Sequence, residues 1–324
     1  MTSLRSLRAK FVLSLLLSAL LLLSACGTAG NSGGTQSSGN TSGNSSAGPK
    51  GPITVASKLD VENQLLAKMY TLLLQKKGFT VNEKPALGNS TIIFQAIKSG
   101  AIDLYPEFTY TALNALKMPT AHYPQKDYQT VKDAYNKQFN ITWLDASPLN
   151  DGYGLCTTKD EAQKLGVTNI SQLAPKVSQL VLASPSDGIS FIDGLKSTYG
   201  FDTKSFKQTQ TIDYALGFTA VSSDKAQVAV CYTTDSSALQ KGFIFLQDDK
   251  NGFPAFNPAP IVRNSVLQKY PDIATTLNPL APDLTTEVSM QLQSQVAEKQ
   301  KAGASASKAI TDVATDFLKS KGLL

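Results

Sequence analysis

The chain has 324 residues, 42% hydrophobic and 17% charged, the composition of a soluble globular protein long enough for two lobes. Its formal charge is +5, but three of the 30 Lys and Arg and none of the 25 Asp and Glu lie in residues 1–25, leaving 27 against 25, or +2, for the rest. With that near-neutrality, and with Lys and Arg scattered, neither a nucleic acid nor a charged membrane surface fits as a partner.

The start of the chain differs from the rest. Arg5, Arg8 and Lys10 lead into a short apolar run over residues 11–23, and Leu23-Ser24-Ala25-Cys26 follows with small residues before a cysteine. A transmembrane helix needs about 20 apolar residues, more than this run holds. The pattern resembles a bacterial lipoprotein signal with its lipobox, which implies a signal peptide over residues 1–25, cleavage before Cys26 and lipidation of its thiol. Residues 27–50 are almost wholly Gly, Ser, Asn, Thr and Ala, a composition that cannot bury enough apolar surface to offset ordering. With Cys26, residues 26–51 are expected to form a lipidated tether of roughly 25 to 30 Å r.m.s. reach. A plain spacer is compatible with the same sequence.

Next comes a short apolar strand over residues 53–57. Asp60 is placed to N-cap a helix carrying Leu65, Met69 and Leu72 or Leu73 on one face and stopping at Gly78. A strand near residues 79–81, a turn at Leu87-Gly88-Asn89-Ser90 and a helix over residues 91–99 ended by Gly100 follow. Residues 101–105 then alternate as a strand that Pro106, lacking an N–H, is expected to end. Strand, helix and strand joined by short loops argue for an α/β lobe on a parallel sheet, with the strands' carboxyl ends facing a ligand crevice.

Helical patterns cover residues 111–116 and 130–140, and residues 141–144 are strand-like. Tyr153 sits where the polar turn Asn150-Asp151-Gly152 meets an apolar strand, and a short helix follows over residues 160–166. Residues 228–232 are a buried-strand run ending in Tyr232; residues 259–263 form another strand; residues 284–301 and 307–321 are helices. Cys156 lies three positions after Tyr153 and Cys231 one before Tyr232. These odd offsets put each thiol on the face opposite its tyrosine, so both can share one side of a sheet, as a disulfide or as two buried thiols.

The stretch Asp103-Leu104-Tyr105-Pro106-Glu107-Phe108-Thr109-Tyr110-Thr111 closely resembles the aspartate-leucine-tyrosine-proline-glutamate-tyrosine-threonine-glycine-threonine segment of the substrate-binding proteins of osmoprotectant ABC importers, which capture glycine betaine, carnitine, choline and similar compounds. The likeness runs over residues 53–324, through Ser57-Lys58, the Leu87 turn, Asn150-Asp151-Gly152-Tyr153, Tyr232-Thr233-Thr234-Asp235 and Phe253-Pro254-Ala255-Phe256. Residues 181–200 depart most from it, which puts in doubt any ligand contact from that loop. The resemblance implies an α/β, two-lobed fold of the type II periplasmic-binding-protein kind, each lobe a mixed, mostly parallel sheet flanked by helices, with ligand in the cleft between. Lobe I would span residues 52–146 and 256–324, and lobe II residues 147–255.

The resemblance also implies an aromatic cage of Phe108, Tyr153, Tyr232 and Phe256 around a trimethylammonium group. That chemistry makes sense, because such a group donates no hydrogen bond and is held by aromatic faces. Phe108 and Phe256 stand where the family carries tyrosines. Asn63 replaces the family's glutamine, with Gln64 a rival for its role, and Tyr105 or Tyr110 is an alternative cage wall. Thr111, Asn63 and nearby backbone amides are the candidates for the ligand's other end. Thr111 is a neutral donor that does not repel an anion, which favours carboxylate-bearing osmolytes.

An enzyme is not expected: the single histidine, His122, has no partnered nucleophile or metal-ligand spacing. Neither a cofactor nor a metal is implied. The chain is read as a monomer that works with an ABC permease and sits at the extracytoplasmic face of the cell membrane through its lipid. The alternative keeps the fold and changes the ligand to an amino acid or another small cationic or zwitterionic solute.

Overall fold

The computed structural model describes residues 50–324; the expected signal peptide, Cys26 and most of the tether lie outside the described residues. In chain order the framework is β1 (Lys50–Ala56), α1 (Val61–Lys76), β2 (Phe79–Lys84), α2 (Ser90–Ser99), β3 (Leu104–Phe108), α3 (Thr109–Leu116), α4 (Pro124–Phe139) and β4 (Ile141–Trp143), then β5 (Tyr153–Thr158), β6 (Val181–Ser184), β7 (Gln208–Thr211), β8 (Val228–Tyr232), β9 (Phe243–Phe245) and β10 (Pro258–Arg263). Two long helices, Thr286–Lys301 and Ala306–Ser320, close the chain.

Local chemistry explains the helix ends. Asp60 caps α1, its carboxylate accepting from Asn63 N at 2.8 Å, with Glu62 in the first turn and Lys76 in the last to complement the helix dipole. Asn89 caps α2 in the same way, accepting from Ile92 N, and Gly100 ends that helix at φ +80°, a conformation that costs glycine little. Pro124 occupies the first turn of α4, so this helix starts six residues before the apolar periodicity at 130 suggested.

Among the described residues, ten strands form two five-stranded sheets of matching plan. The first runs β2-β1-β3-β10-β4 and the second β7-β6-β8-β5-β9. In each, four strands run in the same direction, and one strand that comes straight from a crossing between sheets, β10 or β5, inserts antiparallel between two of them. The fold is α/β and two-lobed, of the type II periplasmic-binding-protein kind. Alternation along the strands feeds a core on each face. Val55 and Leu104 join the cluster under α1 and the terminal helices, whereas Ala56 and Tyr105 face Ile97, Tyr135 and Trp143 on the other side.

The strand expected to end before Pro106 runs through it to Phe108. Pro106 lies opposite Pro260 of β10, and the Pro260 carbonyl points the other way, accepting from Leu144 N at 2.9 Å. On the β3 side this pair therefore exchanges no hydrogen bonds, so the two missing N–H groups remove none from the β3–β10 ladder. β1 begins at Lys50, inside the span 26–51 expected for a tether, and the Lys50 ammonium pairs with Asp272.

Two crossings join the sheets and are tied to each other. Asp151 N donates to Phe256 O at 3.2 Å, Asn257 Nδ2 to Leu149 O at 2.8 Å, and Phe256 N to Asn150 Oδ1 at 2.7 Å. In the second sheet Cys156 and Cys231 form a disulfide with Cα atoms 5.9 Å apart, buried against Phe218 and Phe243. It closes a loop of 75 residues, for which chain-entropy arguments give about 2–4 kcal/mol of stabilisation. Replacing both cysteines with serine should lower the unfolding free energy by about that amount in denaturant titration. An unchanged midpoint would show that the bridge contributes nothing to stability.

Candidate ligand-binding site

All six residues singled out from the sequence, Asn63, Phe108, Thr111, Tyr153, Tyr232 and Phe256, line one cleft of about 240 Å³, together with Lys58, Asp60, Ser90 and Asp151. Larger hollows of about 570 and 390 Å³ lie beside Tyr128 and Ser147 and between α1 and the last helix. Neither takes a residue from the second sheet.

Strand ends deliver the rings. Phe108 is the last residue of β3, Tyr153 the first of β5 and Tyr232 the last of β8. The register of the antiparallel β5–β8 pair sets Tyr153 opposite Tyr232, with ring centroids 4.9 Å apart, while Cys156 and Cys231 project from the other face. Phe256 comes from the second crossing and meets Tyr110, the alternative wall, at 4.8 Å. Tyr105 does not enter the cleft: it is buried in the core, donating to Glu107 Oε2. Gln64 likewise turns away, its amide donating to Leu59 O.

Phe108 has company on its ring. Lys58 Nζ lies 5.0 Å from the ring centroid and donates to Glu107 Oε1 at 2.6 Å, and all three residues are buried at 7% exposure or less. Lys58 is thus a cation already neutralised by Glu107 and already placed over one cage ring. The one arginine among the described residues, Arg263, pairs with Asp103.

The candidates for the ligand's far end divide. Asn63 spends its amide on Asp60, with Nδ2 at 3.0 and 2.9 Å from the two carboxylate oxygens, and its Oδ1 is buried with no hydrogen-bond partner. The amides of Phe108 and Thr109 are engaged by Glu107 Oε1 and Asn257 O. Thr111 presents its hydroxyl from the first turn of α3.

Carboxylates crowd the floor. Burial pushes Asp151 up to about 6, against the hydrogen bond from Thr234 Oγ1 at 2.6 Å, and nearby Asp60 adds to the rise while Lys58 opposes it. Glu62 is raised well above the usual carboxylate range by burial, then by Asp151 and Asp60, although Ser289 donates to it at 2.6 Å. Of these carboxylates Asp60 and Asp151 line the cleft, where they are complementary to a cation.

Two contributors escaped the sequence. Asp187 Oδ2 accepts from Tyr153 at 2.8 Å and from Tyr232 at 3.0 Å, and Phe191 stacks on Tyr153 with centroids 4.1 Å apart at 23°. Both come from the segment that departs most from the family pattern, where only the strand order β6-β8-β5 brings residue 187 beside the tyrosines.

Two α/β lobes joined by paired crossings, with an aromatic-walled cleft between them, define a solute-binding protein. Residues 51–320 match the family described as the substrate binding domain of ABC-type glycine betaine transport system, and the chain belongs to that family. Glycine betaine-binding protein YehZ of Escherichia coli (strain K12) is 30% identical over 287 residues, 84% of this chain and 91% of that protein. The ergothioneine transport permease/ergothioneine binding protein EgtU of Helicobacter pylori (strain G27) is also 30% identical, over 277 residues, covering 84% of this chain and 48% of that protein, so the chain spans about half its length. A crystal structure titled glycine betaine/carnitine/choline ABC transporter superposes with a TM-score of 0.74 at 25% identity, over 84% of this chain and 99% of that one.

The Asp151 shift has a sign. An acid raised from 3.8 to about 6 keeps its proton in the folded state while the unfolded chain releases it. Its stability contribution is therefore full below about pH 4 and lost as pH rises through 6. Asp151→Asn mimics the protonated form, so ligand-free variant and wild type should match near pH 4 and separate by about 1–3 kcal/mol, variant the more stable, by pH 7. Parallel denaturation curves across that range would rule the shift out.

Proposed function

We propose that this protein captures a quaternary-ammonium osmoprotectant of the glycine betaine, carnitine and choline class in the cleft and hands it to an ABC permease. Support comes above all from the convergence of Tyr153, Tyr232, Phe256 and Phe108 from both lobes on one cleft whose floor carries Asp60 and Asp151. Ring faces attract the trimethylammonium group at about 0.5–2 kcal/mol each, and the carboxylates add long-range attraction for a cation. Micromolar binding needs about 8 kcal/mol, so contacts at the ligand's far end and closure of the lobes must contribute the remainder. The proposed lobes are residues 52–146 with 256–324, and residues 147–255, rocking about the two crossings. Lipidation at Cys26 would hold the protein, as a monomer, at the outer face of the membrane beside its permease.

The cleft's charge bears on the far end of the ligand. A carboxylate there would meet Asp60 and Asp151 with Lys58 already engaged, whereas an alcohol can donate to Asp60 or to the unpartnered Oδ1 of Asn63. This favours a choline-like alcohol over the carboxylate-bearing osmolytes that Thr111 alone suggested. No role for His122 in the site is proposed; it lies in the loop before α4, at φ +56°.

Isothermal titration of the purified protein with choline, glycine betaine and carnitine should give micromolar binding of at least one, with choline the tightest. Tyr232→Ala should weaken it about tenfold or more. Silence from all three in folded protein would move the assignment to an amino acid or another small solute. Choline affinity should also rise between pH 5 and pH 7 as Asp151 ionises, and a flat profile would remove Asp151 from the ligand's surroundings.

A further inference from the structure

We propose that Asp187 is a positioning and specificity-determining residue of the cleft: its Oδ2 accepts the phenol hydrogens of Tyr153 at 2.8 Å and Tyr232 at 3.0 Å, holds both rings, and sharpens their preference for a cation over a neutral group of the same shape. The inference rests on the quaternary-ammonium reading above.

Three features of the fold bring one carboxylate to two phenols. The β5–β8 register puts the tyrosines side by side, and β6 is the other neighbour of β8, so the short helical turn Ser186–Gly188 that follows β6 emerges next to Tyr232. Gly188 lets that turn press against β8: a Cβ there would stand 2.9 Å from both Val230 Cγ1 and Ser184 Oγ, closer than side chains tolerate. Phe191, four residues beyond Asp187 and so on the same side of the continuing helical turn, stacks on the Tyr153 ring. One segment thus grips Tyr153 at its hydroxyl and at its face.

The electronic consequence follows from the charges. A phenol that donates to a carboxylate makes a charge-assisted hydrogen bond, and its oxygen gains negative character that it shares with the ring. The negative ring face is what attracts a trimethylammonium group. Phe108 and Phe256 have no hydroxyl to be reinforced in this way, and Phe108 already faces Lys58. The second lobe's wall, backed by Asp187, therefore carries most of the cage's electrostatic selectivity. Asp187 is itself exposed, so the bland alternative is a surface hydrogen bond that merely orders residues 186–191. Such a role would weaken every ligand alike.

The test measures dissociation constants on the full-length protein for the tighter of choline and glycine betaine, and for its carbon isostere in which a tert-butyl group replaces the trimethylammonium, the isostere being titrated in competition. Asp187→Asn keeps an acceptor for one phenol and removes the charge. It should weaken the cation about 5- to 30-fold and the isostere less than about twofold. The Tyr153→Phe/Tyr232→Phe double variant keeps the rings and removes the donors; it should show the same selective loss, and adding Asp187→Asn to it should change little further. Equal weakening of both ligands by Asp187→Asn, or none, overturns the proposal while wild-type binding stands. Absence of quaternary-ammonium binding by wild type instead overturns the functional reading, and this inference with it.

Discussion

The antiparallel pairing of β5 with β8 is the contact on which the ligand site depends. Its register sets Tyr153 opposite Tyr232 at the cleft end of the pair and places Cys156, three residues after Tyr153, diagonal to Cys231 on the other face. A slip of one residue in either strand would turn that strand's tyrosine to the other face of the sheet and break the pair. The buried disulfide therefore does more than restrain the unfolded chain. It locks the one pairing that presents two aromatic faces side by side, and Asp187 then joins their hydroxyls from the turn that follows β6.

Around those rings the charge is arranged for an occupant. Asp60 and Asp151 line the cleft, Glu62 lies behind them, and Lys58 is spent on Glu107. Burial raises both Asp151 and Glu62, and neighbouring carboxylates add to each rise. Asp60 and Asp151 in the cleft lining would attract a cation.

The two sheets share one plan, and in each the antiparallel strand is the one that arrives from a crossing. Because the crossings bond to one another through Asp151, Asn150 and Asn257, the segment that connects the lobes is also the segment that carries Phe256 and Asp151 into the cleft. Motion of one lobe against the other would therefore move ligand-facing groups directly.

How much of this was legible in the sequence follows from the range of the interactions. The helix cap at Asp60, strand alternation, the opposite-face relation of cysteines and tyrosines, and the family motif around Phe108 depend on neighbours in the chain, so the residues themselves carried them. Phe108, Tyr153 and Tyr232 could be named from the sequence because motif spacing preserves strand ends, and Thr111 and Phe256 because they belong to neighbouring motifs. The passage of β3 through Pro106 could not be read, since it depends on Pro260 standing opposite, and neither could the choice of Asn63 over Gln64, which is a matter of helix rotation against the cleft. Asp187 and Phe191 were hidden for the same reason. Their segment has no motif, and only the lateral order of β6, β8 and β5 brings a carboxylate 34 residues beyond Tyr153 and 45 before Tyr232 onto both hydroxyls. Sequence determined which residues had the chemistry, and tertiary packing decided which of them meet, because contacts between distant segments are fixed by sheet order and not by spacing along the chain.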